Sequence, residues 1–213
     1  MPRFPSFRNG RFVLNLLQMK KYNSQALLEQ LQADIRQLVL ISNKLKSEDP
    51  GVLLEQPAPG KWNVVQVLEH LNSYGRYYIP AIEKSLQENK PATVMFKPGF
   101  IGDYFTKMLS PSEKGTVKYK MKAPKDHRPS PHLDHQPVLK TFLEQQQALL
   151  ELLEKAKTKN IGRIRTPITL SRFIKLKLGD TFRFLIAHEQ RHFIQISNTM
   201  AQVKKTGTFS LAL

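Results

Sequence analysis

Apolar residues recur at spacings of three and four from Asn23 to Lys46, as Leu27, Leu28, Leu31, Ile35, Leu38, Ile41 and Leu45, with polar residues between them. That period lines them along one face, so the segment is predicted to be a long amphipathic helix. Asp49-Pro50-Gly51 stops it, and a connection holding Pro57, Pro59 and Gly60 follows. Asn63 then offers an N-cap with Gln66 as its capping-box partner, and Val64, Val67, Leu68, Leu71 and Tyr78 form the next stripe. A second helix is expected from about Trp62 to about Gln87, kinked or divided at Pro80.

Residues 91–136 break the pattern, with Pro91, Pro98, Pro111, Pro124, Pro129 and Pro131 and one short apolar piece, Tyr104 to Leu109, that suits a helical turn. A stretch of this length without regular structure has a function of its own or moves. Leu139, Phe142, Leu143, Leu149, Leu150 and Leu153 restore a helix from Val138 to Lys157. A fourth is expected from Asp180 to Lys204, with Gly179 marking its start and Asp180 as N-cap. No sustained strand alternation and no internal repeat stand out. Four helices of roughly 20 to 25 residues with long connections describe an all-α four-helix bundle, a fold that houses metals between facing helices.

The length of 213 residues suits one domain, taken as residues 19–213, with a Pro-rich basic loop at 91–136. Residues 1–18 are basic, contain Pro2 and Pro5 and lack a convincing secretory signal, so they read as a poorly ordered arm or an over-extended start before Met19. There is no cysteine, so any metal site must use nitrogen and oxygen ligands. No apolar stretch approaches the ~20 residues of a membrane span, and a cytoplasmic protein without a membrane partner is expected. The net charge of +16 is concentrated in residues 155–177, where eight Lys or Arg residues stand without an acid. Such a field attracts nucleic acid, anionic lipid or a small anionic substrate, yet no helix-turn-helix or RNA-binding signature and no interleaved aromatics accompany it. A solvated basic face is the simpler reading, with a basic non-catalytic binding module as the alternative function.

Two of the six histidines, His188 and His192, stand four residues apart in the fourth helix. They share a face, so both rings can aim at one point, and a transition metal is the simplest occupant; a packed or exposed pair is the other reading. His188-Glu189-x-x-His192 also satisfies the zincin signature, in which the glutamate is the general base. That arrangement needs a downstream ligand, and residues 193–213 contain no His, Asp, Glu or Cys. A third ligand must come from upstream. His70 lies at the edge of the second helix's apolar stripe, next to Tyr74, and is the only histidine outside the loop and the fourth helix. Thr181, His188, His192, Gln195 and Thr199 form a polar arc on the fourth helix, and Tyr74 and Gln195 are placed to line a cavity. Glu69 and Glu189 adjoin these histidines in sequence but point about 100° away. His127, His132 and His135, with Asp126 and Asp134, read as exposed loop residues, one of which reaches substrate if the loop folds over the bundle mouth.

Taken together, Pro59-Gly60-Lys61-Trp62, His70-Leu71, Thr166-Pro167 and His188-x-x-x-His192 followed by Phe193-Ile194-Gln195-Ile196 resemble the DinB-like (YfiT-like) superfamily of metal-binding bundles over roughly residues 20 to 205. The resemblance implies an up-down-down-up bundle and a divalent ion, zinc or nickel, held by His70, His188 and His192 with open positions. It also implies a metal-dependent activity of the thiol S-transferase or hydrolase kind on a small-molecule substrate, anionic or thiol-bearing, in a chain compatible with a homodimer. Asn63 stands where many members carry Ser, and the loop from Gly115 to Pro137 matches no family feature.

Overall fold

The structure, a computed structural model, describes residues 20–112, 115–117, 121–169 and 171–204; the predicted arm of residues 1–18 lies outside them. Among the described residues there are six α-helices: α1 (Ser24–Leu45), α2 (Pro50–Leu54), α3 (Val64–Leu86), α4 (Phe100–Leu109), α5 (His135–Ala156) and α6 (Leu178–Val203). Their starts follow local chemistry. Asn23 Oδ1 accepts from the Ala26 amide at α1, and Asp134 accepts from the Gln136 amide at α5. At α3, Asn63 and Gln66 close a reciprocal capping box, each side chain accepting from the other's amide at 2.8 and 3.1 Å.

The four long helices form the bundle. α1 packs on α5 and α6, and α3 packs on the same two, so α1 lies diagonally opposite α3 and α5 opposite α6. Two apolar clusters fill the interior. One gathers Leu31, Ile35, Tyr78, Ile82, Leu149, Phe182 and Leu185; the other gathers Leu38, Leu45, Val67, Leu71, Phe142, Phe193 and Ile196. Each such side chain taken fully out of water contributes about 1.5–3 kcal/mol. Where the clusters meet, α3 and α6 bring buried polar residues to the junction: His70 follows Leu68 of the second cluster and precedes Tyr74 of the first, and His188 and His192 lie between Ala187 and Phe193.

Several expectations are corrected. Pro80 sits inside α3, which continues through it without division. The final helix begins at Leu178, before Asp180, and Asp180 is not its cap. The Asp180 carboxylate is buried, accepts from the Gly99 amide at 2.6 Å and pairs with Arg183, which also reaches Asp103 of α4 at 2.9 Å. These bonds dock α4 on α6. The region 91–136 is more ordered than predicted, with α4 running a full ten residues and a 3₁₀ turn at Lys125–His127. Strands are present as well. β1 (Tyr22–Asn23) pairs with β2 (Met95–Phe96), and β3 (Arg165–Ile168) forms an antiparallel hairpin with β4 (Ser171–Lys177). In β4 the alternation is short: Leu176 and, in part, Ile174 turn inward while Phe173 joins Lys175 on the open face, which hides the period in the sequence.

Candidate metal centre

α3 supplies His70 and α6 supplies His188 and His192, all at least nine-tenths buried. Ring centroids are 5.3 Å apart for His70 and His188, 4.7 Å for His70 and His192, and 4.6 Å for His188 and His192. One nitrogen from each ring lies within 4.8 Å of the others. Among the described residues these three are the sole group of His, Asp and Glu side chains gathered closely enough to hold an ion.

Hydrogen bonds fix which nitrogen each ring can offer. His70 Nδ1 donates to the His127 carbonyl at 2.7 Å, and His192 Nδ1 donates to Gln195 Oε1 at 2.9 Å, so both rings keep Nε2 as a lone pair. His188 and His192 approach Nε2 to Nε2 at 3.0 Å. With the His192 nitrogen a lone pair, His188 must donate the proton between them, and its own Nδ1 is left buried without a partner. Two imidazoles on one zinc, each about 2.0–2.1 Å from the ion, have nitrogens roughly 3.0 to 3.5 Å apart. The donor set fits a divalent ion, which would replace the shared proton.

The electrostatics favour the same occupant. Burial holds His70 down to about 4 and His192 down to about 3, and pushes His188 well below the usual imidazole range, its neighbours His192 and His70 adding to the effect. All three rings are neutral at pH 7, the form that binds metal. Aromatic side chains enclose them: Trp62 lies 5.1 Å from His70, Tyr74 4.5 Å from His188, and Phe184 stacks with His188 at 6.4 Å. Burial pushes the Tyr74 phenol up to about 12, so it stays protonated.

The other sequence candidates take different places. Tyr74 stands against the rings, whereas Gln195, half-buried, lies behind His192 as its hydrogen-bond partner. Glu69 turns outward to Arg76 at 2.6 Å. Glu189 is buried on the α5 side of α6, where it accepts from Gln146 at 3.0 Å; burial raises its carboxyl to about 8. That placement removes the zincin arrangement, since the carboxylate faces another helix and is outside the histidine group. His132 is exposed in the loop, and His135 is the first residue of α5, beside its neighbour Asp134. His127 alone reaches the site. Its ring stacks on Tyr74 at 3.9 Å and its Nδ1 meets Ser73 Oγ at 2.8 Å. Ser73 had no sequence signal except its place one turn beyond His70.

A helical bundle with three neutral histidines converging between α3 and α6 defines a class: an all-α protein with a buried site compatible with metal binding. The chain belongs to the DinB superfamily, whose family model matches residues 25–196. Searches of curated proteins and of solved structures gave no match.

Proposed function

We propose that the protein is a divalent-metal-dependent enzyme acting on a small molecule, with His70, His188 and His192 holding zinc or nickel. The observation that carries this reading is the convergence of three buried, neutral imidazoles whose ligand atoms lie within 4.8 Å of one another. A divalent ion on three neutral ligands keeps its full charge and open positions, and lowers the pKa of a bound thiol or water at neutral pH.

The chain's own groups narrow the choice between thiol transfer and hydrolysis. Glu189 is turned toward Gln146 and no carboxylate joins the histidines among the described residues, so the site offers ligation and enclosure without an acidic side chain to act as base. Such a site suits a substrate that carries its own acidic proton, as a thiol of pKa near 8.5 does. Tyr74 stays a hydrogen-bond donor, and Trp62 and Phe184 present apolar walls that keep water from competing.

Zinc or nickel titration of metal-free protein, followed by elemental analysis, tests the ligand set. One ion per chain is expected, with binding lost in each of His70→Ala, His188→Ala and His192→Ala. In cobalt-loaded protein a low-molecular-weight thiol is expected to add a sulfur-to-cobalt charge-transfer band. Absence of stoichiometric metal in the unaltered protein would overturn the site; metal without a thiol band would overturn the thiol substrate alone.

A further inference from the structure

We propose that the segment from Pro124 to Pro131 is a strap coupled to the ion site, in which His127 is the positioning residue for His70. The inference rests on the reading of the three histidines as ligands and adds a regulatory element to it.

The strap touches the bundle along one stripe of α3. Gln66 donates to the Ser130 carbonyl at 3.3 Å, His70 donates to the His127 carbonyl at 2.7 Å, Ser73 meets His127 Nδ1 at 2.8 Å, and Tyr74 stacks on the His127 ring at 3.9 Å. Residues 66, 70, 73 and 74 follow the three- and four-residue spacing of a single helix face. Lys125, Asp126 and Arg128 around His127 are exposed. The strap is therefore fastened chiefly through one residue, which holds His70 on one side and Ser73 and Tyr74 on the other.

Proton counting fixes the direction of each bond. Ser73 has one hydroxyl proton and donates it to the His70 carbonyl at 2.6 Å. Its oxygen can then only accept from His127, so His127 carries its proton on Nδ1. The ring is clamped between Ser73 and Tyr74, and its clamped position sets where its carbonyl oxygen stands. That oxygen in turn holds His70 with Nδ1–H outward and Nε2 facing the other two histidines.

Coupling follows in both directions. An ion on Nε2 draws electron density from the imidazole and makes Nδ1–H a stronger donor, tightening the bond to the His127 carbonyl. Reciprocally, whatever fastens the strap raises the ion's affinity by the same factor. Filling the site locks the strap over α3; loosening the strap releases the ion.

Two measurements on the full chain decide it: hydrogen–deuterium exchange of peptides covering residues 121–133 with and without zinc, and zinc titration of His127→Ala, His127→Asn, Ser73→Ala and His132→Ala. Zinc is expected to slow exchange in the strap. His127→Ala is expected to weaken zinc affinity roughly 10-fold, within the 10- to 100-fold range for partners of metal ligands. Ser73→Ala should weaken it less, His127→Asn should recover part by keeping a donor toward Ser73, and His132→Ala should change nothing. Stoichiometric zinc with unchanged strap exchange and unchanged affinity in His127→Ala and Ser73→Ala overturns the coupling and leaves the ligands standing. No stoichiometric zinc in the unaltered protein overturns the ligand reading and the strap with it.

Discussion

Burial acts on the two kinds of titratable residue near the junction in opposite senses, and the pH dependence of the metal-free protein records both. His70 and His192 drop from 6.5 to about 4 and about 3 on folding, so the unfolded chain binds more protons than the folded one between those values and 6.5. Their contribution is full above 6.5 and is lost as pH falls through the window. Glu189 rises from 4.5 to about 8, so its contribution is full below 4.5 and is lost as pH rises toward 8. Urea midpoints of metal-free protein are expected to decline on both sides, and Glu189→Gln, neutral at every pH, is expected to abolish the alkaline decline while leaving metal binding intact. Loss of metal in that variant would contradict the placement of Glu189 against Gln146. At this scale the sequence was legible where a side chain declares itself by spacing: His188 with His192, the Asn63–Gln66 box, and His70 beside Tyr74. It was silent where the contact is made by a backbone carbonyl, as at His127, because any residue carries that oxygen and only the path of the loop decides where it falls.

Elements carry the next set of consequences. The docking of α4 onto α6 depends on close approach: a Cβ at Gly102 would lie 2.4 Å from the Asp180 Cβ and 2.5 Å from its Cγ. Asp180 cannot step aside, being buried and held by the Gly99 amide and by Arg183. Gly102→Ala should therefore destabilise by about 1–3 kcal/mol from overpacking, outweighing a helix-propensity gain of about 1 kcal/mol, and thermal unfolding would check it. An unchanged or raised Tm would mean that α4 is not seated as described. The long helices were legible because each runs for roughly six or seven turns with an apolar face repeating along it. The β3–β4 hairpin was not, since Ser171–Lys177 offers few alternating positions and Phe173, 96% exposed, stands on the wrong face for a pattern. Asp180 misled as a cap for a related reason: its short acidic side chain suits a helix start, yet the Gly99 amide just ahead of α4 and Arg183 of its own helix claim it inside the first turn.

For the whole molecule, an ion that binds only the folded chain stabilises it by mass action, about 2.7 kcal/mol at a free concentration one hundred times Kd. In a chain of this size that corresponds to a rise in Tm of roughly 5 to 10 °C, which calorimetry with zinc against chelator would measure. The shift should vanish in His70→Ala, and it should persist in added salt. A basic binding module would behave in the opposite way, its affinity for nucleic acid falling steeply with salt and indifferent to the three histidines. Among the described residues no helix is long and apolar enough to cross a membrane. The three rings come from distant parts of the chain, about 120 residues separating the α3 histidine from the α6 pair. An ion joining them would clasp a loop of that length, and the entropy of closing it must be met by the bundle first. A growing chain could then acquire its metal only after α6 is made, so loading would wait on the meeting of α3 and α6 and report that they have met.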